Sequence, residues 1–204
     1  MTRIKICGIT NMEDALLAAD LGADAVGFIF TPSPRRISPQ KAREIISSLP
    51  PLIHKVGVFK NDEVTLVKEI INHCFLDYAQ FHGEEDKTYI REFGPRAIKV
   101  FEINRRHVME EIKNFSLPFF MLDLPKGSGN KIHPDWQMVE KAKKWGKFML
   151  AGGLNPENIE TVLQNITPFG VDVCRGVEQA EGTKSPERLK EFILKVRTWD
   201  ALRT

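Results

Sequence analysis

The chain has 204 residues, of which 42% are hydrophobic and 27% are charged, a composition typical of a globular protein with one well-buried core. Its 29 basic and 27 acidic residues give a net charge of +2, which excludes the basic surface expected of a nucleic-acid-binding protein. No stretch is long and apolar enough to cross a bilayer, and residues 1–3 lead into a strand pattern without a signal-like segment.

Three cysteines, Cys7, Cys74 and Cys174, are widely spaced and odd in number. This pattern favours reduced thiols over a disulfide framework or a zinc site. We therefore expect a cytoplasmic protein that binds no metal, no nucleic acid and no membrane. The composition leaves the oligomeric state open, a homodimer included.

Apolar runs rich in Val, Ile and Phe alternate with amphipathic segments along the whole chain. The predicted strands are 3–9, 24–30, 53–59, 77–82, 97–102, 118–123, 147–151 and 170–174. The predicted helices lie near 12–21, 39–48, 62–73, 85–93, 105–115, 135–145, 156–165 and 185–197. Strands joined by helical connections are parallel, so eight such units predict an α/β protein with one domain, 1–204, folded as a single (β/α)8 TIM barrel. The alternative is an open doubly wound sheet, which favours a glycine-rich loop where this chain has only Gly8.

Polar residues follow the predicted strands, where such barrels keep their functional side chains. In the first strand, Lys5 and Cys7 alternate with Ile4 and Ile6, so the two faces of that strand differ. Cys7 is a candidate general base, although a cysteine there is as readily a small buried apolar residue. Asp123 ends a very apolar strand. We expect its pKa to be raised and the group to donate a proton, the alternative being a loop cap.

Two glycine turns predict a phosphate site. Residues 151–157 (AGGLNPE) place Gly152 and Gly153 before a helix with Asn155 as its N-cap, and the next unit ends in Cys174-Arg175-Gly176. Barrels build phosphate sites from the loops after strands seven and eight, although each turn alone is also compatible with no ligand.

Three other loops offer ligand contacts or plain turns. Arg35 and Arg36 suit a carboxylate, although an arginine pair is commonly a solvated loop feature. His82-Gly83 is a ligand contact or a turn, and Gly127-Ser128-Gly129 is expected to be mobile enough to close over a ligand.

Five motifs resemble the phosphoribosylanthranilate isomerase family, in the family's order and over almost the whole chain. They are 5–10 (KICGIT), 22–28 (GADAVGF), 80–84 (QFHGE), 152–158 (GGLNPEN) and 171–173 with 176–178 (VDV, GVE). The resemblance implies a single (β/α)8 barrel of the tryptophan pathway that needs no cofactor. Its implied reaction is the Amadori rearrangement of N-(5-phosphoribosyl)anthranilate, a small phosphorylated substrate, to 1-(2-carboxyphenylamino)-1-deoxyribulose 5-phosphate.

The resemblance also implies residue roles. Cys7 would be the general base and Asp123 the general acid. Arg36 would hold the anthranilate carboxylate, with Asp172 and Gln80 or His82 near the substrate nitrogen and ring. The phosphate would lie against Gly152, Gly153, Cys174, Arg175 and Gly176.

The chain departs from the family at three places. Cys174 and Arg175 replace two serines, Ser185 replaces an aspartate after Lys184, and Asn130 separates Gly129 from Lys131. We expect phosphate still to bind after strand eight through backbone N–H groups, with Arg175 offsetting the lost hydroxyls; the alternative leaves Arg175 in solvent. A ligand-binding relative without the reaction and an isomerase of another phosphosugar are the other functions considered. The presence of both Cys7 and Asp123 favours an active enzyme, and another phosphosugar isomerase would more typically show two carboxylates.

Overall fold

Eight parallel strands close into one barrel in chain order, β8 pairing with β1, which confirms the predicted (β/α)8 fold. The computed structural model describes residues 1–104, 106–124 and 135–203. The strands are β1 (Arg3–Ile6), β2 (Ala25–Ile29), β3 (His54–Phe59), β4 (Tyr78–Phe81), β5 (Ala97–Glu102), β6 (Phe119–Asp123), β7 (Lys147–Ala151) and β8 (Gly170–Val173). Because the barrel is closed and parallel, the loops after all eight strands share one mouth.

Eight α-helices alternate with these strands in the described part of the chain. They are α1 (Met12–Asp20), α2 (Pro39–Ser47), α3 (Val64–Cys74), α4 (Lys87–Arg91), α5 (Val108–Phe115), α6 (Trp136–Ala142), α7 (Ile159–Asn165) and α8 (Pro186–Ala201). Polar residues cap several of them: the side chains of Asn11, Ser38 and Ser185 accept hydrogen bonds from backbone N–H groups of α1, α2 and α8. Pro39 and Pro186 open two of these helices, where a proline needs no N–H donor.

Several predicted boundaries differ from the structure by three or more residues, and two of these differences have a local reason. The first strand ends at Ile6 and not at residue 9, because Gly8 takes a φ of +73° that extended strands do not adopt. Helix α7 begins at Ile159 and not near 156, and Asn158 is its N-cap. The side chain of Asn155 accepts instead from the backbone N–H of Asn158, so it caps the turn before the helix.

The core lies in two layers on either side of the strands. The larger cluster packs the sheet against the helices and includes Val26, Phe28 and Phe120. A second cluster contains the residues that alternate with these, which point into the barrel: Ala25, Val56, Ile98, Val100, Met121, Met149 and Ala151. The barrel strands also carry two buried lysines, Lys5 and Lys99.

A short hairpin that the sequence did not predict follows β8. Its strands are β9 (Glu178–Ala180) and β10 (Thr183–Lys184), and they pair antiparallel. The predicted loop Gly127-Ser128-Gly129 and the departure at Asn130 lie outside the described residues. In the part of the chain that the structure describes, no helix has both the length and the apolar character needed to span a membrane.

Candidate active site

A cavity of about 660 Å³ opens at the carboxyl ends of the strands. Every predicted site residue except Arg36 lines it: Cys7, Gln80, His82, Asp123, Gly152, Gly153, Asp172, Cys174, Arg175 and Gly176. A second space of about 650 Å³ adjoins it and shares Ser33, His82 and Asp123. The fold therefore gathers residues from both ends of the chain around a space that suits a small molecule.

Cys7 lies directly after β1 and is almost fully buried. Its backbone N–H donates to the carbonyl oxygen of Val173 at 2.8 Å, which extends the pairing of β1 with β8 by one residue and brings Cys7 beside Cys174. The hydrogen bond from the Cys174 thiol lowers the pKa of Cys7 to about 6; burial opposes this effect, and the positive charge of Lys5 adds to it. A thiol in this environment is a competent base near neutral pH.

The pKa of Cys174 shifts in the opposite direction. Its hydrogen bond to Cys7 and its burial both raise the pKa of its thiol, so it keeps its proton. The two cysteines therefore divide one proton unequally, with Cys7 the more acidic group.

Asp123 ends β6, which is three strands from β1 around the barrel, and it lines the same cavity as Cys7. One of its carboxylate oxygens lies 3.3 Å from Nε2 of His82, which follows β4. Both side chains are partly exposed to the cavity. The arrangement places a carboxyl group and a thiol in the lining of one ligand-sized space, on strand ends three positions apart around the barrel, where both can reach one ligand.

Two predicted substrate contacts are held in contrasting ways. Asp172 in β8 accepts a hydrogen bond from the ammonium of Lys5 at 2.7 Å, and both side chains are at least nine-tenths buried. The Oε1 atom of Gln80 is buried without a hydrogen-bond partner among the described residues, although Gln80 lines the cavity. A buried acceptor left without a donor is costly, so Gln80 is suited to receive an N–H or O–H from a ligand.

The two glycine turns form the part of the cavity that follows β7 and β8. Gly152 and Gly153 have φ values of +96° and +65°, and a Cβ on Gly176 would collide with the carbonyl oxygen of Leu154. The side-chain amide of Asn158 donates to the carbonyl oxygen of Gly153 at 2.9 Å, which fixes the first turn. Arg175, between Cys174 and Gly176, is exposed and lines the cavity. Because these glycines have no side chains, an anion can approach their backbone closely and accept hydrogen bonds from its N–H groups.

The two arginines after β2 are placed differently. Arg36 is exposed, donates from Nε to the carbonyl oxygen of Phe30 at 3.0 Å, and lines neither cavity. Arg35 lines the cavity, and its guanidinium makes two hydrogen bonds to Glu178, at 2.7 and 2.6 Å. The role of Arg36 toward a carboxylate stays a prediction.

Two charged residues of the site, Lys5 and Lys184, were missed by sequence reasoning. Lys5 is buried beside Cys7, and the alternation in β1 was the signal that could have found it. Lys184 in β10 is buried and donates to the carbonyl oxygen of Cys7 at 2.7 Å and to Glu178 at 3.1 Å.

Among the described residues, no group of three or more His, Cys, Asp or Glu side chains could hold a metal ion.

Comparison with known proteins decides the family. The family model described as N-(5'phosphoribosyl)anthranilate (PRA) isomerase matches residues 4–195. The chain belongs to this family. N-(5'-phosphoribosyl)anthranilate isomerase of Geotalea uraniireducens is 41% identical over 201 residues, covering 97% of this chain and 99% of the relative.

Solved structures of N-(5'-phosphoribosyl)anthranilate isomerases share the fold throughout. The Thermotoga maritima enzyme superimposes with a TM-score of 0.91 at 39% identity, covering 97% of this chain and 100% of its own. An isomerase solved in complex with reduced 1-(o-carboxyphenylamino)-1-deoxyribulose 5-phosphate gives 0.88 at 38% identity, with the same coverage of both chains. These matches confirm the resemblance found in the sequence motifs.

Proposed function

We propose that this chain catalyses the Amadori rearrangement of N-(5-phosphoribosyl)anthranilate in tryptophan biosynthesis, with Cys7 as the general base and Asp123 as the general acid. The observation that carries the proposal is that these two groups, which follow or end strands three positions apart around the barrel, line one cavity that also contains both glycine turns. The family membership supplies the substrate, and the complex of a relative with a reduced product analogue supports a phosphorylated ligand.

The reaction divides into two proton transfers. Asp123 donates a proton to the ribose ring oxygen while the bond from that oxygen to C1′ breaks, and the anthranilate nitrogen lone pair forms the Schiff base. The Cys7 thiolate then removes the proton from C2′; the electron pair of that C–H bond forms the C1′–C2′ double bond, and the C=N π pair moves to nitrogen, which gives an enolamine. Transfer of the enol proton to C1′ gives the ketone. The proton that Cys7 gains and Asp123 loses is exchanged through solvent before the next turnover, so the reaction needs no oxidant or reductant.

The rest of the cavity binds the two anionic ends of the substrate. The backbone at Gly152, Gly153 and Gly176 takes the phosphate, with Cys174 and Arg175 beside it. Gln80 offers its unpartnered oxygen to an N–H or O–H of the substrate, and His82 and Asp172 lie at the same mouth. Arg36 takes the anthranilate carboxylate once its side chain turns from the Phe30 carbonyl toward the cavity.

The location and the assembly of the chain belong to the same proposal. Three free cysteines support a reducing cytoplasm. A relative from Thermotoga maritima is described as dimeric, so the second partner to test for is another copy of this chain.

The test mixes purified protein with freshly made phosphoribosylanthranilate and follows the loss of anthranilate-type fluorescence. We expect enzyme-dependent loss with saturation kinetics, and a rate lower by roughly two orders of magnitude or more with the Cys7→Ala variant. Tight binding of the product analogue without any turnover would identify a ligand-binding relative and contradict the proposal. Turnover of a different phosphosugar but not of this substrate would contradict it equally.

A further inference from the structure

A buried ammonium group lies beneath the proposed catalytic thiol. The side chain of Lys5 is 1% exposed, and its Nζ donates to Asp172 at 2.7 Å. Lys5 stands outside the ring of residues that line the cavity. Desolvating a lysine is expensive, and a single hydrophobic side chain could fill the same volume, so this charge calls for a function beyond packing.

The ammonium is close to the Cys7 sulfur. Lys5 and Cys7 are two residues apart on an extended backbone and therefore point to the same face. A Cβ built on Gly27 of β2 would lie 2.9 Å from Sγ of Cys7 and 3.1 Å from Nζ of Lys5. The sulfur and the nitrogen are thus at most about 6 Å apart, and only glycine on β2 leaves them room to approach.

The other charged or titratable groups around Cys7 have different partners. From β8, Asp172 binds Lys5, and the Cys174 thiol donates to the Cys7 sulfur. From the hairpin, Lys184 donates to the main-chain oxygens of Cys7 and Cys174 and to Glu178. From the loop after β2, Arg35 packs against Gly8 and is paired with Glu178. Lys5 is therefore the described cation that lies beside the Cys7 sulfur on the barrel side, away from the mouth.

We propose that Lys5 is a positioning residue for the general base: its ammonium, oriented by Asp172, holds Cys7 as a thiolate that is aimed into the cavity. The proposal rests on the function proposed above for Cys7. An opposite charge within this distance favours the ionised thiol, and burial strengthens the attraction because little water screens it. Burial alone lowers the pKa of Lys5, but Asp172 and the Cys7 thiolate more than compensate and raise it, so Lys5 stays charged wherever Cys7 titrates.

The experiment measures how alkylation of Cys7 by iodoacetamide depends on pH, in the whole protein without substrate, with the modified peptide identified by mass spectrometry. In the wild type we expect the rate to rise with a midpoint near pH 6. In Lys5→Met the midpoint should move toward the roughly 8.5 of a free cysteine, so that the rate at pH 7 falls roughly tenfold or more. Lys5→Arg keeps the charge and should keep a low midpoint.

Lys99→Met is the matched control. Lys99 forms an equally buried ion pair with Glu85, at 2.9 Å, on the other side of the barrel, so its loss should cost comparable stability but leave the Cys7 midpoint unchanged. An unchanged midpoint in Lys5→Met, or an equal shift in Lys99→Met, would overturn the proposal.

The double variant Lys5→Met with Asp172→Asn keeps the proposal testable if Lys5→Met does not fold, because it leaves no buried charge unpaired. Asp172→Asn alone is its reference: the midpoint of the double variant should lie above that of Asp172→Asn, and equal midpoints would contradict the role of Lys5. In the isomerase assay Lys5→Met should lower kcat at pH 7 more than it changes KM, with recovery at higher pH. Because alkylation needs no substrate, a protein without isomerase activity would refute the proposed function and still report on Lys5.

Discussion

Arg35 and Glu178, 143 residues apart in the chain, form an ion pair of two hydrogen bonds near the carboxyl end of β1. Their side chains are only 12% and 4% exposed, and Lys184 binds the same carboxylate. The pair thus fastens the loop after β2 to the hairpin after β8, on either side of Cys7.

Removing this carboxylate should be costly. Glu178→Gln leaves two cations without their anionic partner in a buried place, and we expect a loss of about 3–5 kcal/mol in the free energy of unfolding, measured by urea denaturation. Glu157→Gln is the control, because Arg188 and Glu157 also form a two-bond pair but are more than a third exposed. That change should cost about 1 kcal/mol or less. Equal losses would show that burial does not govern these pairs.

Replacing either proton-transfer group should abolish most turnover. Cys7→Ala and Asp123→Asn should each lower kcat by roughly two orders of magnitude or more, the usual scale for a general acid or base. Steady-state fluorescence kinetics provide the measurement. Cys7→Ser preserves the size of the side chain but supplies a far weaker base, so full activity in that variant would reduce Cys7 to a structural role.

The Cys174 thiol should set the pH range of the enzyme. Its hydrogen bond stabilises the Cys7 thiolate, and the loss of that bond must therefore raise the pKa of Cys7 from about 6. In Cys174→Ala the rise of kcat/KM with pH should move to higher pH, with activity lost near pH 6 and retained near pH 9. Cys174→Ser keeps a donor and should shift less. Identical profiles for the wild type and the alanine variant would show that the bond is unimportant.

Gln80 should contribute to binding at the expense of stability. Gln80→Met removes a buried oxygen that has no partner among the described residues, so the free energy of unfolding should stay the same or increase by about 1 kcal/mol. KM should increase several-fold, because the substrate loses an acceptor. A destabilised variant with normal KM would indicate that Gln80 serves only the fold.

Arg175 distinguishes two versions of the phosphate site. If its guanidinium reaches the phosphate, Arg175→Ser should raise KM several-fold, since a charge-assisted hydrogen bond is worth about 1.5–3 kcal/mol. Inhibition by inorganic phosphate should weaken in parallel. An unchanged or lower KM would indicate that the Arg175 side chain stays in solvent and does not contact the phosphate. Arg175 is exposed in the structure without substrate.

The sequence predicted the fold well because each βα unit carries its own periodic pattern. It failed at the hairpin, whose strands have three and two residues and therefore show no period. It also could not separate Arg35 from Arg36, because adjacent side chains point in different directions that only the folded loop defines. The alternation of β1 already indicated that Lys5 and Cys7 share a face. It could not indicate the partner of Lys5, because Asp172 is 167 residues away and no local pattern joins the two.

The pairing of β1 with β8 has a consequence for protein synthesis. The Cys174 thiol, whose hydrogen bond lowers the pKa of Cys7, directly follows β8 and leaves the ribosome long after Cys7, which directly follows β1. A nascent chain therefore carries Cys7 without this partner until β8 and Cys174 have been made. The low pKa of Cys7 is established only when β8 docks beside β1, so the chain acquires its proposed base and its closed barrel in the same event.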